Sequence, residues 1–208
     1  MITVYLKDAA NLAEVEEGSC ALAIDHHPHS DEDLEYKQLA RRIYPHIYTK
    51  LMPDAFFVTI QHDRKNLGAP PRHIILYQAA IAAGFQPHEQ KIWHRRESIS
   101  LFRKSYAQIQ IFTKGSPKRF MEGELKEYLN DVWLLPDSMK RDDYTDAFTD
   151  EIPARLIKVL TRQRDTVLDP FLGSGTTLKQ AELLGRNGIG YEIRPELRKF
   201  YPGTWSIL

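Results

Sequence analysis

Cysteine is nearly absent from this sequence. Cys20 is the one cysteine in 208 residues, which excludes a disulfide framework and a thiolate zinc cluster. No long hydrophobic run exists either. The longest near-apolar stretch, Ile74 to Phe85, is interrupted by Tyr77 and Gln78 and falls short of the ~20 residues that a bilayer span needs. The opening residues, MITVYLKDAANLAEVEEG, carry neither a basic n-region nor an apolar h-region, so a soluble cytoplasmic protein without a signal peptide or membrane contact is expected. Neither sign of charge is in excess, with 28 Lys+Arg against 28 Asp+Glu, whereas nucleic-acid binders are more often basic. Internal repeats and low-complexity stretches are lacking as well. What is present is ordinary globular composition, 42% hydrophobic and 27% charged, in a length that suits one domain of about 150 residues, with room for an appendage.

The balanced total hides an uneven distribution. Residues 1–35 hold nine acids and one base, residues 91–119 hold eight bases and one acid, and residues 120–151 hold ten acids and three bases. The basic block (Lys91, Arg95, Arg96, Arg103, Lys104, Lys114, Lys118, Arg119) is interleaved with Trp93, Phe102 and Tyr106. That mixture suits phosphate contact plus base stacking. It suits equally an ordinary antiparallel edge whose aromatics belong to the core and whose charges are balanced by acidic neighbours.

Hydrophobic periodicity predicts strands at 1–6, 21–24, 55–60, 90–93, 107–113, 166–168 and 188–192, and helices over 33–51, 72–84, 152–162 and 176–184. The second helix ends at Gly84 and the third has Pro153 near its start, as helix-terminus chemistry prefers. Strands alternating with helices imply an α/β sheet.

The most informative stretch is VLDPFLGSGTTLKQAELLGRNGIGYEI, residues 167–193. An apolar strand enters Asp169-Pro170-Phe171-Leu172-Gly173-Ser174-Gly175, and a helix opens at Thr176. Glycines at a strand-to-helix turn let the backbone approach a ligand closely, so a branched side chain at Gly175 is expected to abolish that approach. A second strand ends at Glu192, seventeen residues after Gly175. An acid at such a strand tip accepts hydrogen bonds from both hydroxyls of a ribose. The phosphate-binding signatures do not fit: there is no GxxxxGK followed by Ser or Thr, and GxGxxG lacks its third glycine at Leu178.

DPFLGSGTT with GYEI downstream resembles the S-adenosylmethionine site of the amino-methyltransferases of DNA, which modify N6 of adenine or N4 of cytosine. FTDEIPARLIKVL (148–160) resembles the helix that precedes that site, and DVWLLP (131–136) another recurrent segment of the family. The resemblance implies an α/β Rossmann-like methyltransferase fold, with a mixed seven-stranded sheet and helices on both faces. It implies that Phe171 packs near the cofactor. Asp169 and the backbone around Gly173, Ser174, Gly175 and Thr176 would lie by its methionine end, Glu192 would take the ribose, and Asp8 would lie near the adenine. The cofactor motif follows the catalytic region, an order that resembles the beta class. A single methyltransferase domain over 1–208 is implied, with a catalytic region at 1–113, a short insert at 114–130 and a cofactor region at 131–208.

The catalytic tetrapeptide departs from the family pattern of Asp, Asn or Ser, then Pro-Pro, then an aromatic residue. An exocyclic amine is conjugated with its ring and is a poor nucleophile. A side-chain oxygen and a backbone carbonyl accept its hydrogens, and the aromatic residue stacks on the flipped base. This chain has Asp25-His26-His27-Pro28-His29-Ser30. One register puts His26 at the acceptor, Pro28 at the second proline and His29 at the aromatic position. A shift by one puts Asp25 at the acceptor and Pro28 where the aromatic belongs. The first keeps one proline and a stacking ring and is preferred. Neutral His26 accepts through a ring nitrogen and protonated His26 does not. Activity is therefore expected to fall on acidification through roughly pH 6.5, the reference imidazole value; a flat rate profile from pH 5.5 to 8 would exclude this. The alternative is an inert methyltransferase-like module that binds nucleic acid or a catalytic partner.

Asp25-His26-His27 after an apolar strand also resembles the DHH phosphoesterase signature, with His29, Asp31 and Asp33 as further metal ligands. That family needs additional upstream acids on other strands, and residues 1–24 hold no HxDxD pattern. A casual metal site at His26, His27 and His29 is a further option that needs no catalytic meaning. The interval from Lys114 to Asn130 spans 17 residues, little surface for reading base edges. Relaxed specificity, a specificity partner protein or a single-stranded substrate each follows from that. DNA is the expected partner; RNA stays open, because related RNA amine methyltransferases use similar motifs.

Overall fold

In the computed structural model, which describes residues 1–28, 30, 32–63, 70–95, 105–116, 128, 130–136 and 149–208, the apolar runs become strands of one mixed sheet. In chain order the elements are β1 (Ile2–Tyr5), β2 (Cys20–Asp25), α1 (Asp33–Lys50), β3 (Leu51–Gln61), α2 (Arg72–Ala82), β4 (Gln86–Arg95), β5 (Tyr106–Lys114), β6 (Val132–Leu135), α3 (Glu151–Leu160), β7 (Thr166–Asp169), α4 (Thr176–Leu183), β8 (Asn187–Tyr191) and β9 (Ser206–Ile207). A 3₁₀ turn covers Pro195–Phe200. The strand order is β6-β4-β5-β3-β2-β7-β8-β1-β9. Every pairing is parallel except those of β5 with β3 and β4.

All seven expected strands are present, but the sheet has nine. The two additions are β6 and β9. Val-Trp-Leu-Leu is apolar throughout and shows no alternation, although in the fold Trp133 and Leu135 are buried while Val132 and Leu134 are exposed. Ser206–Ile207 is two residues long and exists by pairing with β1. Neither leaves a period-two signal to read.

Alternation along the central strands sorts the core onto two faces. Ala23, Phe57 and Phe112 face α1 and α2, packing with Ile43, Ile47 and Leu76. Leu22, Ile24, Phe56 and Val58 point to the opposite face with Ile152, Leu156 and Ile157 of α3 and Ala181 of α4. Burying each Val, Leu, Ile or Phe side chain among these contributes roughly 1.5–3 kcal/mol. Gly84, at φ +101°, terminates the α2 region in the left-handed conformation that glycine tolerates. No helix among the described residues is long and apolar enough to cross a membrane.

Candidate active site

Four contiguous strands, β2, β7, β8 and β1, run parallel. The segments leaving their carboxyl ends meet in a cleft of about 490 Å³, within the ~300–1,000 Å³ range of cofactor sites and at the end of the sheet where such sites form. Asp8, His26, Pro28, Phe171, Gly173, Ser174, Thr176 and Glu192 all line it. Asp25, Asp169 and Gly175 stand behind its wall, and His29 lies outside the described residues.

The backbone of the turn after β7 is tied to side chains from later in the chain. Gly173, at φ +54°, donates its N–H to Glu192 Oε2 at 2.8 Å. Its carbonyl accepts from the Tyr201 hydroxyl at 2.9 Å. Glu192 Oε1 accepts from Arg194 N at 2.9 Å and Arg194 Nε at 3.1 Å. Three of roughly four carboxylate acceptor directions are thus taken. The half-exposed Arg194 guanidinium is the group that can swing aside for a ligand hydroxyl. Asp8, half-exposed at the cleft, faces Arg42 at 3.3 Å, an ion pair of the weak surface kind. Gly175, at φ +81°, does not face the cleft with its missing side chain. A Cβ there would lie 3.2 Å from Trp205 and 3.3 Å from Tyr201. The expected steric block therefore acts through the packing of the turn rather than inside the ligand space.

Asp169 ends β7 with its Oδ1 accepting the Phe171 N–H at 3.0 Å. Burial pushes its carboxyl up to about 7, opposed by the neighbouring Thr177 hydroxyl and the Phe171 N–H and helped by the negative charges of Asp25 and Glu192. The unfolded value is about 3.9. Between these two values the folded chain holds a proton that the unfolded chain has lost, so stability falls as pH rises through this window. The expected slope is at most about 1.4 kcal/mol per pH unit. Asp169→Asn, which does not titrate, should remove it. Urea unfolding of both proteins at pH 5, 6 and 7 measures the difference; parallel pH dependences would contradict the assignment.

The histidine segment follows β2. His26 lies at the cleft with its ring edge-on to His62, centroids 6.4 Å apart. His27 is buried, with Nδ1 3.1 Å from Asp25 Oδ2 and Nε2 3.3 Å from the Tyr36 carbonyl. Asp25 is fully buried, and the Tyr44 hydroxyl donates to the same Oδ2 at 2.6 Å. Of the two acceptor positions left open by the sequence, His26 faces the cleft and Asp25 does not. Among the described residues no group of three His, Cys, Asp or Glu side chains is arranged to hold a metal ion; His29 and Asp31 lie outside them.

The basic block is only partly described. Lys91 is buried and bonded to Glu89 and the Asn130 carbonyl, and Lys114 donates to the carbonyls of Tyr48 and Leu51. Trp93 is a core residue. These three serve the fold, whereas Arg96, Phe102, Arg103, Lys104, Lys118 and Arg119, and the Arg95 side chain, lie outside the described set. Sequence reasoning missed Arg42, Tyr191 and Arg194 of the cleft wall and the Tyr201–Trp205 pair behind the turn. An arginine two residues after the acid that follows β8 is the one local signal that could have found Arg194.

A family model described as DNA methylase matches residues 25–201. Type II methyltransferase M.MjaI of Methanocaldococcus jannaschii is 38% identical over 128 residues, 58% of this chain and 42% of the relative. Type II methyltransferase M.BglI of Bacillus subtilis is 33% identical over 137 residues, 59% of this chain and 39% of the relative. The chain thus spans about two fifths of the length of these curated relatives. Among solved structures, TTHA0409 of Thermus thermophilus, complexed with S-adenosyl-L-methionine, superimposes with a TM-score of 0.79 at 22% identity, covering 100% of both chains. PvuII DNA methyltransferase (cytosine-N4-specific) gives 0.82 at 22% identity, covering 98% of this chain and 87% of that one. At that identity the two structures establish a shared fold.

Proposed function

The chain belongs to the DNA methylase family, and from that premise we propose that it transfers a methyl group from S-adenosylmethionine to an exocyclic amino group, N6 of adenine or N4 of cytosine, in DNA. The observation that carries this reading is the cleft shared by Glu192, the Gly173 turn and the His26–Pro28 segment. The Type II names of the relatives support a place in restriction-modification. The catalytic region at 1–113 precedes the cofactor region at 131–208 in one methyltransferase domain.

The residues present fit the cofactor by their chemistry. Glu192 offers the ribose a carboxylate at a strand tip, the Gly173 and Ser174 backbone would lie beside the methionine end, and Asp8 beside the adenine. Phe171 supplies an apolar wall. When bound, the cofactor supplies an electrophilic methyl group on a sulfonium. His26, as a neutral imidazole, accepts a hydrogen of the target amine, which localises the nitrogen lone pair for attack, and it then holds the proton that the amine loses. Pro28 restricts the path of the chain beside it. Target choice rests on residues beyond this cleft, on this chain or on a specificity partner.

The test is calorimetric titration with S-adenosylmethionine followed by tritiated methyl transfer to mixed DNA, with His26→Ala alongside. The expected result is binding by both proteins and a loss of about 10²-fold or more in transfer by the variant. Binding without transfer by the parent chain on DNA or RNA would make it a cofactor-holding module, in keeping with its departed tetrapeptide. No binding at all would overturn the reading.

A further inference from the structure

Resting on the reading of this cleft as a methyltransferase site, we propose that His27 is the positioning residue of the loop that carries His26 and Pro28. Its side chain supplies by hydrogen bonds the constraint that a proline ring supplies at the same place of the family tetrapeptide. In the register that puts His26 at the acceptor, His27 occupies the first proline position. A histidine there leaves φ free, and fixing a free residue costs conformational entropy. The structure shows what offsets that cost.

The His27 ring is pinned from three elements. Asp25 at the end of β2 takes Nδ1, the Tyr36 carbonyl of α1 takes Nε2, and the Phe171 ring after β7 meets it edge-on at 5.2 Å. Tyr36 and Tyr44 close the remaining sides at 4.5 and 6.1 Å. Both ring nitrogens face acceptors. The two bonds coexist when hydrogens sit on both nitrogens, or when the hydrogen shared with Asp25 sits on the carboxyl. The Tyr44 hydroxyl on Asp25 Oδ2 fixes the carboxylate in turn. Three residues on, the Ser30 carbonyl accepts from the guanidinium of Arg72, a buried side chain of α2 stacked 4.6 Å over the Tyr36 ring and 3.6 Å from Asp33. The loop is therefore held at 27 and at 30, on either side of Pro28. These bonds orient the His27 ring inside a buried polar network, in which Asp25 Oδ1 and the Tyr36 hydroxyl have no hydrogen-bond partner among the described residues. None of these hydrogen bonds involves Glu192 or Gly173, but the His27 ring lines the cleft against Phe171, so the constraint is read on transfer with the cofactor saturating.

The experiment compares the full chain with His27→Ala and His27→Pro by amide hydrogen exchange over residues 25–33, cofactor calorimetry and methyl transfer at saturating substrates. His27→Ala should speed exchange of the loop about tenfold or more and lower transfer at saturating cofactor by about 10- to 100-fold. His27→Pro should return slow exchange and transfer to within about threefold of the parent, because a ring again fixes the chain. Should His27→Ala fail to fold, His27→Gln, which keeps one donor of the two, carries the same comparison. A His27→Ala loop that exchanges like the parent overturns the proposal, as does a folded His27→Pro that is as impaired as His27→Ala. If the parent chain transfers no methyl group, the enzymatic reading fails on that result, while the exchange data still decide whether His27 holds the loop.

Discussion

Glu192→Ala is expected to raise the dissociation constant for S-adenosylmethionine by about 100-fold, a loss of about 2.7 kcal/mol. The carboxylate stands at the tip of β8, on the cleft, buried and already aligned by Gly173 N and Arg194. Hydrogen bonds to an ionised partner contribute about 1.5–3 kcal/mol each, and a ribose presents two hydroxyls. Alanine also leaves the Gly173 N–H without its acceptor, which loosens the turn beside the ligand. Glu192→Gln keeps one acceptor oxygen but turns an NH₂ toward groups that are themselves donors, so its penalty is intermediate, about tenfold. The discriminating measurement is calorimetry of both variants with the cofactor and with a 2′,3′-dideoxy analogue. The penalty of Glu192→Ala should shrink for the analogue, because the hydroxyls it served are gone. A variant that binds the cofactor within about threefold of the parent would remove Glu192 from the ribose.

The strand-turn-helix at 166–183 was legible because its apolar run and glycine turn are contiguous in sequence and the acid that follows, Glu192, lies within the same short segment; Asp169 accepts from Phe171 N and Glu192 from Gly173 N. The same holds for α1 and α2, whose buried faces repeat at helical spacing. What was not legible depends on distant partners. β6 lies beside β4 through Trp93 and Trp133, forty residues apart in sequence. β9 exists by pairing with β1 at the opposite end of the chain. Tyr201 and Trp205 read as ordinary aromatics, and only the fold places them under Gly173 and Gly175. In the histidine segment the letters allowed two registers, since Asp25 and His26 both offer an acceptor. Burial separates them: Asp25 is fully buried with its Oδ2 bonded to Tyr44 and His27, and His26 faces the cleft. Burial of that kind comes from Tyr36 and Tyr44 of α1, whose packing on the end of β2 depends on the fold.

Gly175→Val is expected to abolish measurable cofactor binding and to lower the melting temperature at the same time, both from one cause. A β-branched residue at φ +81° is a backbone outlier, with a strain of about 1–3 kcal/mol. Its Cβ alone would lie 3.2 Å from Trp205 and 3.3 Å from Tyr201, and the γ-carbons reach further into that stacked pair. Trp205 is anchored to Glu182 at 2.8 Å and Tyr201 to the Gly173 carbonyl at 2.9 Å. Displacing the rings therefore drags the turn whose Gly173 N–H aligns Glu192. A combined loss of about 3–4 kcal/mol corresponds to a melting shift of about 6–16 °C in a chain of this size. Gly175→Ala carries the φ strain without the γ-carbons and should fall between the two. Combining Gly175→Val with Trp205→Ala should cost less than the sum of the separate changes, since the second removes the atoms that the first would strike. Strict additivity would show that the valine acts elsewhere, and a Gly175→Val chain that bound S-adenosylmethionine like the parent would take the cofactor away from this turn.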